Sequence, residues 1–480
     1  MRFPDYESYD AVGLAGRIGA GEITATDALD AALDRIKARN PTLNAVIRLS
    51  EDAAREAAAR VSGGSGPLAG VPFLLKDLGV ARTGQPTSNG TGQLAGVPVG
   101  VTSTVVARLE ATGLIVAGRT NTPEFGLSFT TEPRAFGATR NPWATDRTAG
   151  GSSGGAAAAV ASGMVPAAHA SDGGGSIRVP AAFCGLFGLK PSRGRVPVGP
   201  VLGEAWGGLA TSHVISRSVR DSAALLDVVA GPEPGDPYAA PRPGDSYREA
   251  VATAPGRLRI ALQTEPSSGV AVAEDCRAAA QDAARLCETL GHIVEDAAPA
   301  LDADAIGAAF MTTVTAHLAD DIELIESWLG KAIGDDALET MTAALRAQGR
   351  GGRLADYARA RNTLHGVGRR VGQFLQSYDV LLTPTTAQPP PPLGYLDADA
   401  PDVAAELSKL LRVSPFTQIA NITGCPAMSV PLTWSSSGLP SGAMFMAPLG
   451  REDLLFRLAG QLEAARPWWH RRPPIARISP

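Results

Sequence analysis

Two Gly/Ser clusters and one lysine are where residue type and spacing suggest chemistry in this 480-residue chain. The first cluster is Gly150-Gly151-Ser152-Ser153-Gly154-Gly155; the second, Asp172-Gly173-Gly174-Gly175-Ser176, ends 24 residues beyond Ser152. A serine hydroxyl is a poor nucleophile until a base takes its proton. Consecutive glycines let backbone N–H groups converge without a Cβ in the way, which builds an oxyanion hole for a tetrahedral intermediate. Gly173, Gly174, Gly175 and the Ser176 amide are the expected donors, each worth about 3 kcal/mol.

The base cannot be arginine, which does not deprotonate in proteins, but a neutral lysine can serve. Of the 43 basic residues only five are lysines: Lys37, Lys76, Lys190, Lys331 and Lys409. A lysine in an apolar setting therefore invites a reason specific to lysine, and Lys76 follows the run Val71, Phe73, Leu74, Leu75. An unperturbed lysine needs roughly 4.6 kcal/mol to be neutral at pH 7, and burial in such a run is expected to lower its pKa by several units. Asp77, adjacent in a strand, would point to the opposite face. The competing readings are a surface lysine at a strand end and a flexible Gly/Ser linker. Against the linker stand the helix-forming run 156–161 and the strand-like run 164–168 between the clusters.

Other templates fail. There is no GxxxxGK[ST], no HExxH, and no GxGxxG set between a strand and a helix with an acidic residue some twenty positions on. The six histidines form no ligand spacing, and Cys184, Cys276, Cys287 and Cys425 lie far apart without a CxxC pair, so neither a metal nor a disulfide framework is expected. Gly150 to Gly154 does satisfy GxSxG, but that elbow needs an apolar strand directly before it. The preceding NPWATDRTA reads as loop.

The elements that must position these residues follow from periodicity. Thr24 and Asp27 suggest a capping box opening an amphipathic helix to Asn40-Pro41, and a second helix over 51–61 closes in SGGSGP. A buried strand over 68–77 carries Lys76 at its end; helix 102–112 and strand 114–118 continue the alternation. Later come helix 218–229, strand 258–262, helix 274–290, a strand from 292, a largely helical segment over 303–376 that reads as an insert or cap, a strand near 378–385, and helix 452–465. The ending RPWWHRRPP is expected to seat Trp468 and Trp469 on the body. This alternation predicts an α/β fold with a layered sheet.

Composition excludes several classes. Net charge is −5, with 19% charged and 5% aromatic residues and no basic block, so no nucleic-acid partner is expected. No run of eighteen strongly apolar residues occurs, and the first ten residues do not read as a signal peptide. A cytoplasmic protein acting on a small molecule is the expectation.

The blocks GVPFLLKD, GGSSGG and DGGGSIRVPAAFCGLFGLKP, with TRNPW, DVLLTPT and NITGCPAMSVP around them, identify the chain as a member of the amidase signature family. The resemblance covers nearly the whole chain and is weakest over 303–376. It implies one α/β/α domain over 1–480 around a mixed, mostly parallel twisted sheet, and no cofactor. It implies Ser176 as the acyl-forming nucleophile, with Ser152 relaying its proton to Lys76 behind a cis peptide, and Ser153, Asp172 and Arg178 bracing the loop. The family usually carries a side chain where this chain has Gly173, which predicts a looser oxyanion loop. A substrate pocket is expected around Phe125, Phe129, Thr130, Gln418 and Asn421. Stretches such as TTEPRAFGATRNPW and GREDLLFRLAGQLEAARPWW resemble members acting on amides of aliphatic amino acids, including nylon-type oligomers. Carbamates (urethanase activity) and aryl amides are the neighbouring substrates. The alternatives are an amidotransferase A-type subunit feeding ammonia to misacylated tRNA, and an inactive binding scaffold. A monomer or homodimer is expected.

Overall fold

Short apolar runs punctuated by Gly and Pro alternate with longer stretches of helical period, and the chain accordingly lays strands and helices down in turn. The computed structural model describes residues 3–61 and 66–477. Among these the strands are β1 (Val46–Leu49), β2 (Pro72–Lys76), β3 (Ile115–Thr120), β4 (Arg140–Asn141), β5 (Ala144–Thr148), β6 (Ala167–Asp172), β7 (Phe187–Lys190), β8 (Thr211–Ser216), β9 (Arg259–Leu262), β10 (Ile293–Asp296), β11 (Val380–Pro384), β12 (Ala427–Trp434) and β13 (Pro440–Met446). Eleven of them form one sheet in the order β1-β3-β2-β6-β8-β7-β12-β13-β11-β9-β10.

The sheet is mixed. Pairing is parallel at β2–β3, β2–β6, β9–β11 and β9–β10, where helices such as Thr104–Glu110 and Glu274–Thr289 supply the crossovers. The six central strands, β6-β8-β7-β12-β13-β11, pair antiparallel. The parallel pairs thus lie on either side of that centre, with the edge strand β1 antiparallel to β3, while short returns such as 435–439 allow the antiparallel centre.

Side-chain alternation along β2 decides where Lys76 points. Phe73 and Leu75 enter one apolar cluster with Val116, Leu225 and Phe456. Leu74 enters the other, with the alanines of the helix Gly154–Ala161. Lys76 therefore shares the face of Leu74 and looks toward the N-terminus of that helix. All eight residues of Gly154–Ala161 are buried, and their small side chains let the helix lie close on β6 and β2.

Some boundaries differ from expectation. The strand anticipated over 164–168 is β6, shifted to Ala167–Asp172: Gly163, at φ 76°, turns the chain, and pairing with β8 carries the strand on through polar residues to Asp172. The segment before Gly150 is not loop; it forms the β4–β5 ribbon, but this lies outside the main sheet. The helix opened by Thr24 runs over Ala25–Leu43, through Pro41, and stops at Asn44 in the left-handed region; a helix not expected from the sequence, Ala11–Gly19, precedes it. The turn at Gly70, φ 80°, delays β2 until Pro72. Of the SGGSGP stretch, residues 62–65 lie outside the described residues. The segment 303–376 comprises the helices Ala303–Leu329, Thr340–Arg350 and Leu354–Phe374, and Trp468 is buried against the first cluster.

Candidate active site

Three structural ends meet beneath one pocket: the C-terminal end of β2, the turn before the helix Gly154–Ala161, and the loop after β6. The first supplies Lys76, whose Nζ lies 2.7 Å from Ser152 Oγ and 3.0 Å from Ser171 Oγ. No part of Lys76 reaches solvent. Burial pulls its pKa down to about 7, against the pull of the Asp172 charge in the other direction. Asp77 looks the other way, toward Arg119 at 3.7 Å. Ser171 was not singled out from sequence; its only signal is its place directly before the Asp-Gly-Gly-Gly run at the end of β6.

Ser152 follows a cis peptide from Gly151 and is 2% exposed. The Ser153 amide donates to the Ser176 carbonyl at 3.2 Å, and its hydroxyl donates to the Ser171 carbonyl at 3.2 Å. These bonds tie the two Gly/Ser clusters together. Ser176 itself lines the pocket.

The loop 173–176 is held by a buried charge pair. Asp172 receives Arg178 Nε and Nη2 at 2.9 and 2.8 Å, and Asn421 Nδ2 at 2.9 Å. Arg178 also donates to Asn421 Oδ1 at 2.7 Å and to the Thr417 carbonyl at 2.8 Å. Burial alone would raise the Asp172 carboxyl, but Arg178 and Asn421 hold it well below the usual carboxylate range. Asp172 further accepts the Gly175 and Ile177 amides at 2.8 and 3.0 Å. Gly175 is thereby removed from the expected oxyanion donors, since its N–H is already engaged. The amides of Gly173, Gly174 and Ser176 have no acceptor among the described residues.

Packing sets the loop's shape. A Cβ at Gly175, where φ is 144°, would lie 2.5 Å from Thr417 Oγ1, and that hydroxyl donates to the Gly174 carbonyl at 2.6 Å. A Cβ at Gly173 would lie 2.8 Å from Trp206 Cε3. The looser loop expected at Gly173 is not what the structure has, because the Trp206 ring occupies the space a side chain would fill.

The pocket encloses about 250 Å³. Phe129 and Gln418 line it, as expected, together with Trp206, Phe310, Phe416, Met444 and Met446. The other three expected pocket residues lie elsewhere. Phe125, at φ 47°, turns its ring into a cluster with Leu94, Leu318 and Ile322. Thr130 is buried behind Gly151, hydrogen-bonded to Ser128 at 3.2 Å. Asn421 is part of the Asp172–Arg178 brace. No group of three or more His, Cys, Asp or Glu suited to a metal occurs among the described residues. The arrangement offers a buried amine against one serine hydroxyl, free amides beside a second serine, and an apolar chamber in front of them.

The family model described as Amidase matches residues 27–456. The chain is 40% identical to the 6-aminohexanoate-cyclic-dimer hydrolase of Pseudomonas sp. (strain NK87), with 97% of this chain and 96% of that protein covered. The protein of the same name from Paenarthrobacter ureafaciens is similar to the same degree, 40% with 97% and 96% covered. A solved structure of 6-aminohexanoate cyclic dimer hydrolase superposes with a TM-score of 0.93 at 37% identity, covering 98% of this chain and 99% of that one. On sequence and fold together, this chain belongs to the amidase signature family of hydrolases that cleave amide C–N bonds.

Proposed function

We propose that Ser176 attacks the carbonyl of a secondary amide of a small aliphatic or synthetic compound, with Ser152 and Lys76 carrying the proton. Neutral Lys76 takes the Ser152 proton as Ser152 takes that of Ser176, and the new C–O bond forms. The free amides of the loop hold the oxyanion. The proton returns by the same route to the leaving nitrogen, the C–N bond breaks, and an acyl-Ser176 ester and free amine result. Water then adds under the same relay, releasing the carboxylic acid and restoring Ser176.

The observation that carries this reading is the 2.7 Å approach of a fully buried lysine to Ser152. Its pKa of about 7 makes a usable base of a residue that is ordinarily protonated. The two relatives named for a cyclic dimer of 6-aminohexanoate support an aliphatic secondary amide as the substrate. Carbamates place the same carbonyl beside nitrogen and come within the reading. The proposal places the reaction in the cytoplasm, in a monomer or homodimer that needs no cofactor, nucleic acid or membrane; no described helix is long and apolar enough to cross a bilayer.

The test is a screen of purified protein on linear and cyclic aliphatic amides, anilides, primary amides and carbamates, reading released amine. Ser176→Ala should lower turnover by roughly 10⁴-fold or more while the fold is kept. Activity confined to primary amides, or undiminished in that variant, would overturn the proposal.

A further inference from the structure

The loop 173–176 has no side chain until Ser176, so the direction of its peptide units has to be set from outside. One unit is gripped at both ends. The Gly174 carbonyl and the Gly175 amide belong to a single planar peptide group and point opposite ways. The Gly175 N–H donates to Asp172 Oδ1 at 2.8 Å, and the Gly174 oxygen accepts the Thr417 hydroxyl at 2.6 Å. A carbonyl only accepts, so Thr417 is the donor in the second bond whatever its hydroxyl rotor does. No other group among the described residues donates to that oxygen.

Thr417 is itself held for this bond. It is fully buried at the start of the helix Gln418–Thr423, and its carbonyl takes Arg178 Nη1 at 2.8 Å. Behind it stands the buried Ser414. With the single Thr417 hydroxyl hydrogen committed to Gly174, that of Ser414 is shared between Thr417 Oγ1 and the Thr385 carbonyl, at 2.9 and 3.0 Å. Pro415, Phe416 and Gln418 line the pocket, but Thr417 does not. Its contact is with the loop alone, not with the space a substrate would fill.

Glycine makes the grip necessary. Gly175 sits at φ 144°, and a glycine moves between such states at no steric cost. Released from Thr417, the unit can turn on its two glycine Cα atoms. The Gly174 and Ser176 amides on either side then lose the fixed reference that aims them together. Resting on the proposed oxyanion role of those amides, we propose that Thr417 is a positioning residue for the reaction. Its hydroxyl locks the Gly174–Gly175 peptide and so directs the Gly174 and Ser176 N–H groups at the charge that develops on the substrate oxygen.

The test compares three variants. Thr417→Val and Thr417→Ala differ in bulk and share the missing hydroxyl, while Thr417→Ser keeps it; should one of the first pair fail to fold, the other carries the comparison. On an amide that the native protein cleaves, kcat should fall about 10- to 100-fold without the hydroxyl, with KM within about threefold, because the oxyanion exists only in the transition state. Thr417→Ser should keep kcat within about threefold of native. A residue serving the fold alone would lower the melting temperature without that split between kcat and KM and without rescue by serine. A folded hydroxyl-less variant within about threefold of the native kcat, or Thr417→Ser as impaired as Thr417→Ala, would overturn the proposal.

Crystal structures of the native and Thr417→Ala proteins keep this test apart from that of the proposed reaction. A Gly174–Gly175 peptide turned from its native plane in the variant upholds the lock even if the native protein cleaves no amide, in which case the reaction alone falls. A plane left in place overturns the lock, and amide cleavage through Ser176 would then stand without it.

Discussion

Lys76 gives the site its sharpest dependence on conditions. The proposed relay needs the amine neutral, and burial brings its pKa down to about 7. Activity should therefore rise with pH through about 7 and level off above it, because below that value the ammonium has no lone pair to accept the Ser152 proton. A pH profile of kcat/KM checks this, and a profile falling through 7 would exclude neutral Lys76 as the base. Lys76→Arg keeps the charge but cannot deprotonate; its kcat should fall by about 10³-fold or more at every pH between about 6 and 9. The candidate chemistry was legible because it depends on residue type: a rare lysine in an apolar run and two serines among glycines. Ser171 was not, since only the register of β6 brings its hydroxyl to Lys76. Phe125 and Thr130 show why pocket walls are harder to read. Each is a few residues from Phe129 in the chain, yet a left-handed turn and the crowding behind Gly151 send them into other surroundings.

Between elements, the decisive contact joins the loop 173–176, the proposed oxyanion hole, to Trp206 and, through it, to the helix Ala303–Leu329. Trp206 stands at φ 51°, lays its ring against Gly173, and sits beside Asp321 on that helix, whose carboxyl it favours in the charged form against the effect of burial. Phe310 of the same helix would lie 3.4 Å from a Cβ on Gly174. The helical segment is thus part of the site's wall, as expected of an insert beside the pocket, although hydrophobic spacing reports a buried face and not which residues that face touches. Gly173→Thr would drive a side chain into the Trp206 ring. kcat/KM should fall by about 10- to 100-fold, mainly through kcat, as the loop amides are displaced. Removing the ring in Gly173→Thr/Trp206→Ala should restore part of the loss, so that the two changes are non-additive in a double-mutant cycle. Strict additivity, or a silent Gly173→Thr, would mean that the ring does not brace the loop.

Across the whole molecule, the alternation of strands and helices was readable, whereas the antiparallel centre of the sheet was not, since strand direction depends on connections whose path the sequence leaves open. That centre also buries a second lysine outside the proposed relay. Lys190 ends β7, is 1% exposed, and its Nζ donates to the Pro191 carbonyl at 2.6 Å; no carboxylate pairs with it among the described residues. Burial first, and the Arg178 charge second, pull its pKa down to about 7. Between about pH 7 and the ordinary lysine value near 10.5, the unfolded chain holds a proton at this position that the folded chain has released. Stability from this group therefore rises with pH across that window, by up to about 1.4 kcal/mol per pH unit. Methionine has a similar volume and no charge, so Lys190→Met should be more stable than the native protein at pH 7, and its advantage should shrink steadily toward pH 10. Denaturant midpoints of both proteins at about pH 7, 8.5 and 10 measure the gap. A gap that stays constant would mean that Lys190 is charged to the same extent folded and unfolded. One that widens with pH would give the shift the opposite sign, requiring an anionic partner for the ammonium in the heart of the sheet.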